Sequence, residues 1–135
     1  MLRTYVDSGV LLDAATGNHE LARCALHFLD DDRREFVSSH LVWLETVPKA
    51  QYHKKTEEAD FYLSFFDNVI FFVTDIGALV KPAMELARIK GLSAMDALHV
   101  VAARTAEVDE FLTTEKPTKP LFRVEEPRIV YSRSG

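Results

Sequence analysis

Three acids interrupt runs that are otherwise apolar. Asp7 stands in "YVDSGVLL" (5–12), Glu45 in "LVWLETV" (41–47) and Asp96 in "SAMDALHVV" (93–101). A fourth, Glu115, follows "EFLTT" (110–114). A buried, unpaired carboxylate is expensive and normally takes a partner or a proton. Taken singly, two of these acids have ordinary explanations. Asp7 can cap a helix beginning at Ser8 or Gly9. Asp96 lies three residues after Ser93, so the two can form a capping box. Glu45 has no cap role, since it sits a turn or more into its helix, with Leu41 and Leu44 beside it. Taken together, four converging carboxylates would repel and raise each other's pKa. A divalent cation removes that conflict, and ligands that are all oxygen suit Mg²⁺ or Mn²⁺. A cation held this way, with positions open to water and substrate, favours phosphoryl chemistry.

Other chemistries find little support. His19, His27, His40, His53 and His99 are scattered, with no motif around any of them. His99 is one turn from Asp96 and reads as a packing residue or part of the cleft rim. Cys24 is the sole cysteine, which excludes an intrachain disulfide and argues against a cysteine zinc site. The five glycines are dispersed, so there is no phosphate-binding loop for ATP or NAD. Net charge is -5, with 21 acids against 16 bases, which is not the basic footprint of most nucleic-acid binders. Bound cations and local clusters can reverse the field locally. Lys49, Lys54 and Lys55 with His53 form one such cluster, and Lys116, Lys119 and Arg123 another. The ordinary reading of each is a solvated surface. The longest apolar run, Val69 to Val73, is far short of the ~20 residues of a membrane span. The start "MLRTYVDSG" lacks the pattern of a secretory signal. A cytoplasmic protein is expected.

These acids need a frame to bring them together. At 135 residues, 47% of them apolar, the chain has the size and composition of one globular domain spanning 1–135. Strand-like runs at 3–7, 35–39, 68–74, 110–114 and 128–132 alternate with segments of helical period. Asn18 can cap a helix whose apolar face is Leu21, Cys24, Ala25, Phe28 and Leu29. Residues 40–55 read as a helix that Pro48 must kink or break. Pro82 suits a first turn, which predicts two pieces before the stop signal at Gly91. Residues 93–106 read as a buried helix. Strands separated by helices imply parallel neighbours joined by crossovers. The expected architecture is a three-layer α/β/α sandwich with a mainly parallel central sheet of four to five strands. In such sheets the site lies at the carboxyl ends of the strands, near the switch in strand order. Asp7 and Glu115 stand at such ends.

The residues resemble a known family, the PIN-domain ribonucleases of the VapC toxin type. The resemblance spans essentially the whole chain. Its anchors are "YVDSGVLLDA" (5–14), "SSHLVWLETV" (38–47), "GLSAMDALHVVAA" (91–103) and "FLTTEK" (111–116). It implies a PIN-like fold and an Mg²⁺/Mn²⁺ site held by Asp7, Glu45 and Asp96. Thr113, Thr114 and Glu115 fall where the family has Thr-any-Asp. Thr113 would then support the site by hydrogen bonding, with Ser8, and Glu115 would be the fourth acid. The implied activity is hydrolysis of RNA by a metal-activated water, leaving a 5′-phosphate and a 3′-hydroxyl. The implied partners are RNA, a small antitoxin protein and a second copy of the chain. Two departures stand out. The fourth acid is Glu, one methylene longer than the usual Asp, and "KPTKPLF" (116–122) lacks the further Asp many members carry.

A second reading follows from those departures: a PIN fold acting as an RNA- or protein-binding module, with a degenerate, weakly active metal site. A dehalogenase-type phosphatase would want an Asp where Gly9 stands, and a receiver domain would want paired acids that are missing. Phe61 and Phe65 lie one helical turn apart, off the face of Ala59, Tyr62, Leu63 and Phe66. They mark either a helix buried on both sides or a patch for a partner. Asp13 reads as an ordinary helix residue.

Overall fold

The computed structural model describes residues 1–133. Among them, five parallel strands form one sheet in the order β3-β2-β1-β4-β5. The strands are β1 (Leu2–Val6), β2 (Arg34–Ser39), β3 (Phe71–Val73), β4 (Glu110–Thr113) and β5 (Arg128–Tyr131). Between β1 and β2 run helices α1 (Ser8–Thr16) and α2 (His19–Leu29). Helices α3 (His40–Tyr52) and α4 (Thr56–Asp67) join β2 to β3. Helices α5 (Val80–Lys90) and α6 (Ala94–Thr105) join β3 to β4. The helices α1 to α4 pack on one another, and α5 packs on α6. The physical reason is the direction of travel. The chain steps outward from β1 to β3, then returns past β1 to β4. Right-handed crossovers made in opposite directions place their helices on opposite faces. The result is the expected three-layer sandwich. Tyr5, Val6, Val37, Phe111 and Leu112 carry the sheet's part of its core.

Local signals set the element ends. Asn18 Oδ1 accepts from Leu21 N–H at 2.9 Å and opens α2. Ser93 Oγ accepts from Asp96 N–H at 3.3 Å and opens α6. Gly91 closes α5 with φ 70°, the left-handed conformation that glycine adopts at no steric cost. The expected two pieces around Pro82 are present. A 3-10 turn, Gly77–Leu79, leads into α5, and Pro82 lies in that helix's first turn, where its missing N–H has no partner to lose.

Pro48 behaves differently from expectation. Helix α3 continues through it to Tyr52 without a break. The carbonyl that loses its donor belongs to Leu44, which is 69% exposed, so water can replace the missing bond. The third strand is also shorter than the run that predicted it, since Val69 and Ile70 precede the paired residues. Strand β1 ends at Val6, one residue earlier than the sequence reading. That releases Asp7 to be the N-cap of α1.

At the amino-terminal edge of the sheet, Glu110 is wholly buried and ties four strands together. It accepts from Thr4 Oγ1 at 2.8 Å on β1 and from Arg34 Nε at 2.6 Å on β2. It also accepts from Arg128 at 2.9 Å on β5. Arg34 is held further by Asp31 and lies 4.9 Å over the Phe28 ring. Another buried acid, Asp13 on α1, accepts two bonds from Arg133 at 2.8 and 2.9 Å. Asp13 is therefore not the ordinary helix residue the sequence suggested. Its partner is 120 positions away.

Candidate active site

The direction of chain travel reverses between β1 and β4, so the crevice at their carboxyl ends is the switch point of the sheet. Asp7 and Thr113 face each other across it. Val6 pairs with Leu112, and Asp7 N–H donates to the Leu112 carbonyl at 2.9 Å. Thr113 Oγ1 donates to Asp7 Oδ2 at 3.2 Å, and Ser8 N–H donates to Asp7 Oδ1 at 2.8 Å. One carboxylate is thus fixed by a strand, a helix start and a neighbouring strand.

Glu45 reaches the same crevice from the second turn of α3. Its Oε1 accepts from Ser8 Oγ at 3.1 Å and lies 2.7 Å from His99 Nε2. His99 Nε2 is also 4.0 Å from Asp7 Oδ1. Asp7, Glu45 and His99 offer ligand atoms within 4.8 Å of one another. Asp96 and Glu115 stand outside this compact group; the Asp96 charge acts on His99, and the charges of Asp7 and Glu115 act on Asp96. Glu115 is anchored by its backbone N–H, which donates to Thr113 Oγ1 at 3.0 Å. The first turn of α1 approaches the same loop closely. A Cβ at Gly9 would lie 2.4 Å from Thr114 Oγ1, so only glycine fits without displacement.

The electrostatics are those of crowded anions. Burial pushes the Asp7 carboxyl above its ordinary value and Glu45 adds to the rise, while His99, Thr113 and Ser8 oppose it. Burial also raises Asp96, and the charges of Asp7 and Glu115 raise it further. Burial alone would raise Glu45 too. Its hydrogen bond and charge contact with His99, with the bond from Ser8, outweigh burial and hold it below the usual range. Burial opposes charge on His99, but the bond to Glu45 and the charges of Asp7, Glu45 and Asp96 prevail and raise it. An excess of negative charge, partly withdrawn from water, is the condition that a hard cation relieves.

The structure brings Asp7, Ser8, Glu45 and Thr113 into direct hydrogen-bonded connection, ties the Glu115 backbone to Thr113, and couples Asp96 to Asp7 and Glu115 through charge. The sequence reading missed the part played by His99, which it assigned to packing or the rim, and by Tyr5 behind it. The available signal was spacing. His99 is one helical turn from Asp96, and Tyr5 is two strand residues from Asp7. The apolar hollows lie apart from the acids. One is lined by His40, Trp43, Phe66 and Phe72, another by Leu26, Leu29, Phe61 and Phe65. Phe61 and Phe65 are half-buried there, between α2 and α4.

Comparison with known proteins agrees with this geometry. The family model for the PIN domain matches residues 4–116. The chain belongs to the PIN-domain family. Solved structures agree over nearly the full length. A toxin–antitoxin complex from Klebsiella pneumoniae aligns with TM-score 0.69 and 18% identity, over 96% of this chain and 97% of that one. VapBC2 from Rickettsia felis, bound to a DNA fragment from its promoter, aligns with TM-score 0.70 and 12% identity, over 96% and 98%. FitAcB from Neisseria gonorrhoeae aligns with TM-score 0.61 and 14% identity, over 96% and 97%. At these identities the likeness is one of fold. No curated protein compared with the chain matches it. Among the described residues of this PIN domain, no helix is long and apolar enough to cross a membrane.

Proposed function

We propose that this PIN domain is a divalent-metal-dependent endoribonuclease and the toxin of a toxin–antitoxin pair, acting in the cytoplasm. One observation supports the nuclease reading: Asp7 and Glu45 converge with His99 at the switch point, and Asp7 and Asp96 are pushed up by burial and by neighbouring carboxylates. The donor set fits Mg²⁺ or Mn²⁺, because it is rich in carboxylate oxygen and contains no thiolate. Asp7, Glu45 and Asp96 would hold the cation, with Glu115 as a fourth acid. When bound, such a cation supplies positive charge to a phosphate oxygen and acidifies an attacking water. The side chains here do the positioning. Thr113 and the Ser8 backbone hold Asp7 at two oxygens, and Ser8 Oγ holds Glu45. Hydrolysis joins the water oxygen to phosphorus and breaks the bond to the 3′ oxygen, leaving a 5′-phosphate and a 3′-hydroxyl.

The toxin reading is supported by the fold neighbours, which include toxin–antitoxin complexes. It carries with it a small antitoxin protein as partner and a homodimer as the working form. The test is direct. Protein purified free of any partner should cut RNA in Mg²⁺ or Mn²⁺, lose that activity in EDTA and regain it on metal addition. Asp7→Asn and Asp96→Asn should abolish both cleavage and toxicity. Protein that cuts no RNA in either metal, with toxicity untouched by those substitutions, would end the proposal. Light scattering checks the dimer.

The binding-module reading has one observation in its favour: Glu115 lies outside the compact group of Asp7, Glu45 and His99. A large gain of activity in Glu115→Asp would support a degenerate natural site. Little change would support the enzyme as it stands.

A further inference from the structure

His99 is 2% exposed, in the middle of a largely apolar helix. A buried imidazole needs partners for both ring nitrogens, and this one has them. Nε2 lies 2.7 Å from Glu45 Oε1, and Nδ1 lies 2.8 Å from the Tyr5 hydroxyl. The Tyr5 hydroxyl in turn lies 2.7 Å from Ser39 Oγ. Tyr5 is fully buried on the central strand β1, its ring stacked on Phe111 at 5.2 Å between centroids. Ser39 ends β2 and is also fully buried. A rigid hydrogen-bonded chain therefore runs from Ser39 through Tyr5 and His99 to Glu45.

The direction of the chain follows from its end group. An ionised carboxylate only accepts, so Nε2 carries the proton and donates to Glu45. In a neutral ring, Nδ1 then accepts from the Tyr5 hydroxyl, which accepts from Ser39. In a protonated ring, Nε2 still donates to Glu45. The bond to Glu45 thus stands in both states of the ring, and in neither does a nitrogen lone pair face the acids. Glu45 Oε1 receives a second bond from Ser8 Oγ at 3.1 Å. Among the described residues, no hydrogen bond engages Oε2. Both anchors hold one oxygen of Glu45 and leave the other available to a cation.

We propose that His99 is a positioning residue that fixes Glu45 through its Nε2–H and does not itself ligate the cation. The inference rests on the metal-site reading above and deepens it, because His99 shares a compact group with Asp7 and Glu45 that would equally admit a nitrogen ligand. Partners that orient metal ligands typically cost 10- to 100-fold in metal affinity when removed.

Two measurements test it. In metal-free wild-type protein, ¹⁵N NMR of His99 should show Nε2 protonated; a bare Nε2 overturns the inference. The second is Mn²⁺ binding followed by electron paramagnetic resonance. His99→Leu should weaken Mn²⁺ by about tenfold or more. His99→Gln places an amide N–H near the Nε2 position and should recover most of that affinity. Spin-echo spectra of bound Mn²⁺ in the wild type should carry no coupling from a directly bonded imidazole nitrogen. Such a coupling, or full affinity in His99→Leu, overturns this inference alone. A wild type that takes up no Mn²⁺ overturns the metal-site reading and this inference with it. The NMR and spin-echo arms use wild-type protein, so they decide the matter even where His99→Leu does not fold.

Discussion

Asp96 carries a charge that the metal-free fold resists. Its raised carboxyl favours the folded state when protonated. The stability it confers is present below the ordinary value near 3.8 and is lost as pH rises through the raised value. At neutral pH the ionised group therefore works against folding. The first turn of α6 offsets part of this, since a negative charge there gains about 0.3–1 kcal/mol from the helix dipole. The net expectation for Asp96→Asn is a rise of ~1–2 °C in the metal-free melting midpoint at pH 7. The rise should vanish as pH falls toward 4. Calorimetry at the two pH values checks this, and a variant that melts lower than wild type at pH 7 counts against carboxylate repulsion. Asp7, Glu45 and Asp96 were legible in the sequence because acids in apolar runs are conspicuous. His99 and Tyr5 were not, because a histidine or tyrosine in such a run looks like any other core residue until its partner is placed.

Among the elements, two close contacts separate stability from site geometry. Glu110 joins β1, β2, β4 and β5 at the edge of the sheet opposite the acids. Glu110→Ala takes one of the two carboxylates from the nearly buried Arg34 and the acceptor from Thr4 Oγ1, and should cost about 3 kcal/mol. Urea unfolding would show the loss, while Mn²⁺ affinity at the far edge stays close to wild type. Gly9→Ala is the converse case. Its new Cβ meets Thr114 in the loop that leads to Glu115. Overpacking of this kind costs about 1–3 kcal/mol. It should also weaken Mn²⁺ binding, which a titration alongside the unfolding curve would reveal. The continuous α3 teaches a related lesson. Proline is disruptive where its lost hydrogen bond is buried, and Pro48 is on an exposed face.

For the whole molecule, the acids come from β1's end, α3, α6 and the loop after β4, so a shared cation would tie together segments distant in sequence. A ligand that binds only the folded state stabilises all of it by mass action. At 100 times its dissociation constant, Mn²⁺ should add about 2.7 kcal/mol to wild-type stability. The melting midpoint should climb with Mn²⁺ concentration, and Asp7→Asn should remove that dependence. A wild-type midpoint indifferent to Mn²⁺ would contradict the metal site without any assay of RNA cleavage. The Asp13–Arg133 pair works over a similar span, closing the end of the described chain onto α1.

The sequence by itself determined the alternation of strands and helices, the caps at Asn18 and Ser93, the parallel sandwich and the acids that interrupt it. These are local properties: period, propensity and the cost of placing charge among apolar residues act between near neighbours. Only the tertiary structure decided which polar groups meet. It paired Asp13 with Arg133, buried Glu110 among four strands, and ran a hydrogen-bonded chain from Ser39 through Tyr5 and His99 to Glu45. Those partners lie 18 to 120 positions apart along the chain. No periodicity reports such a contact, because it is fixed by strand order and crossover direction, which set where each side chain ends.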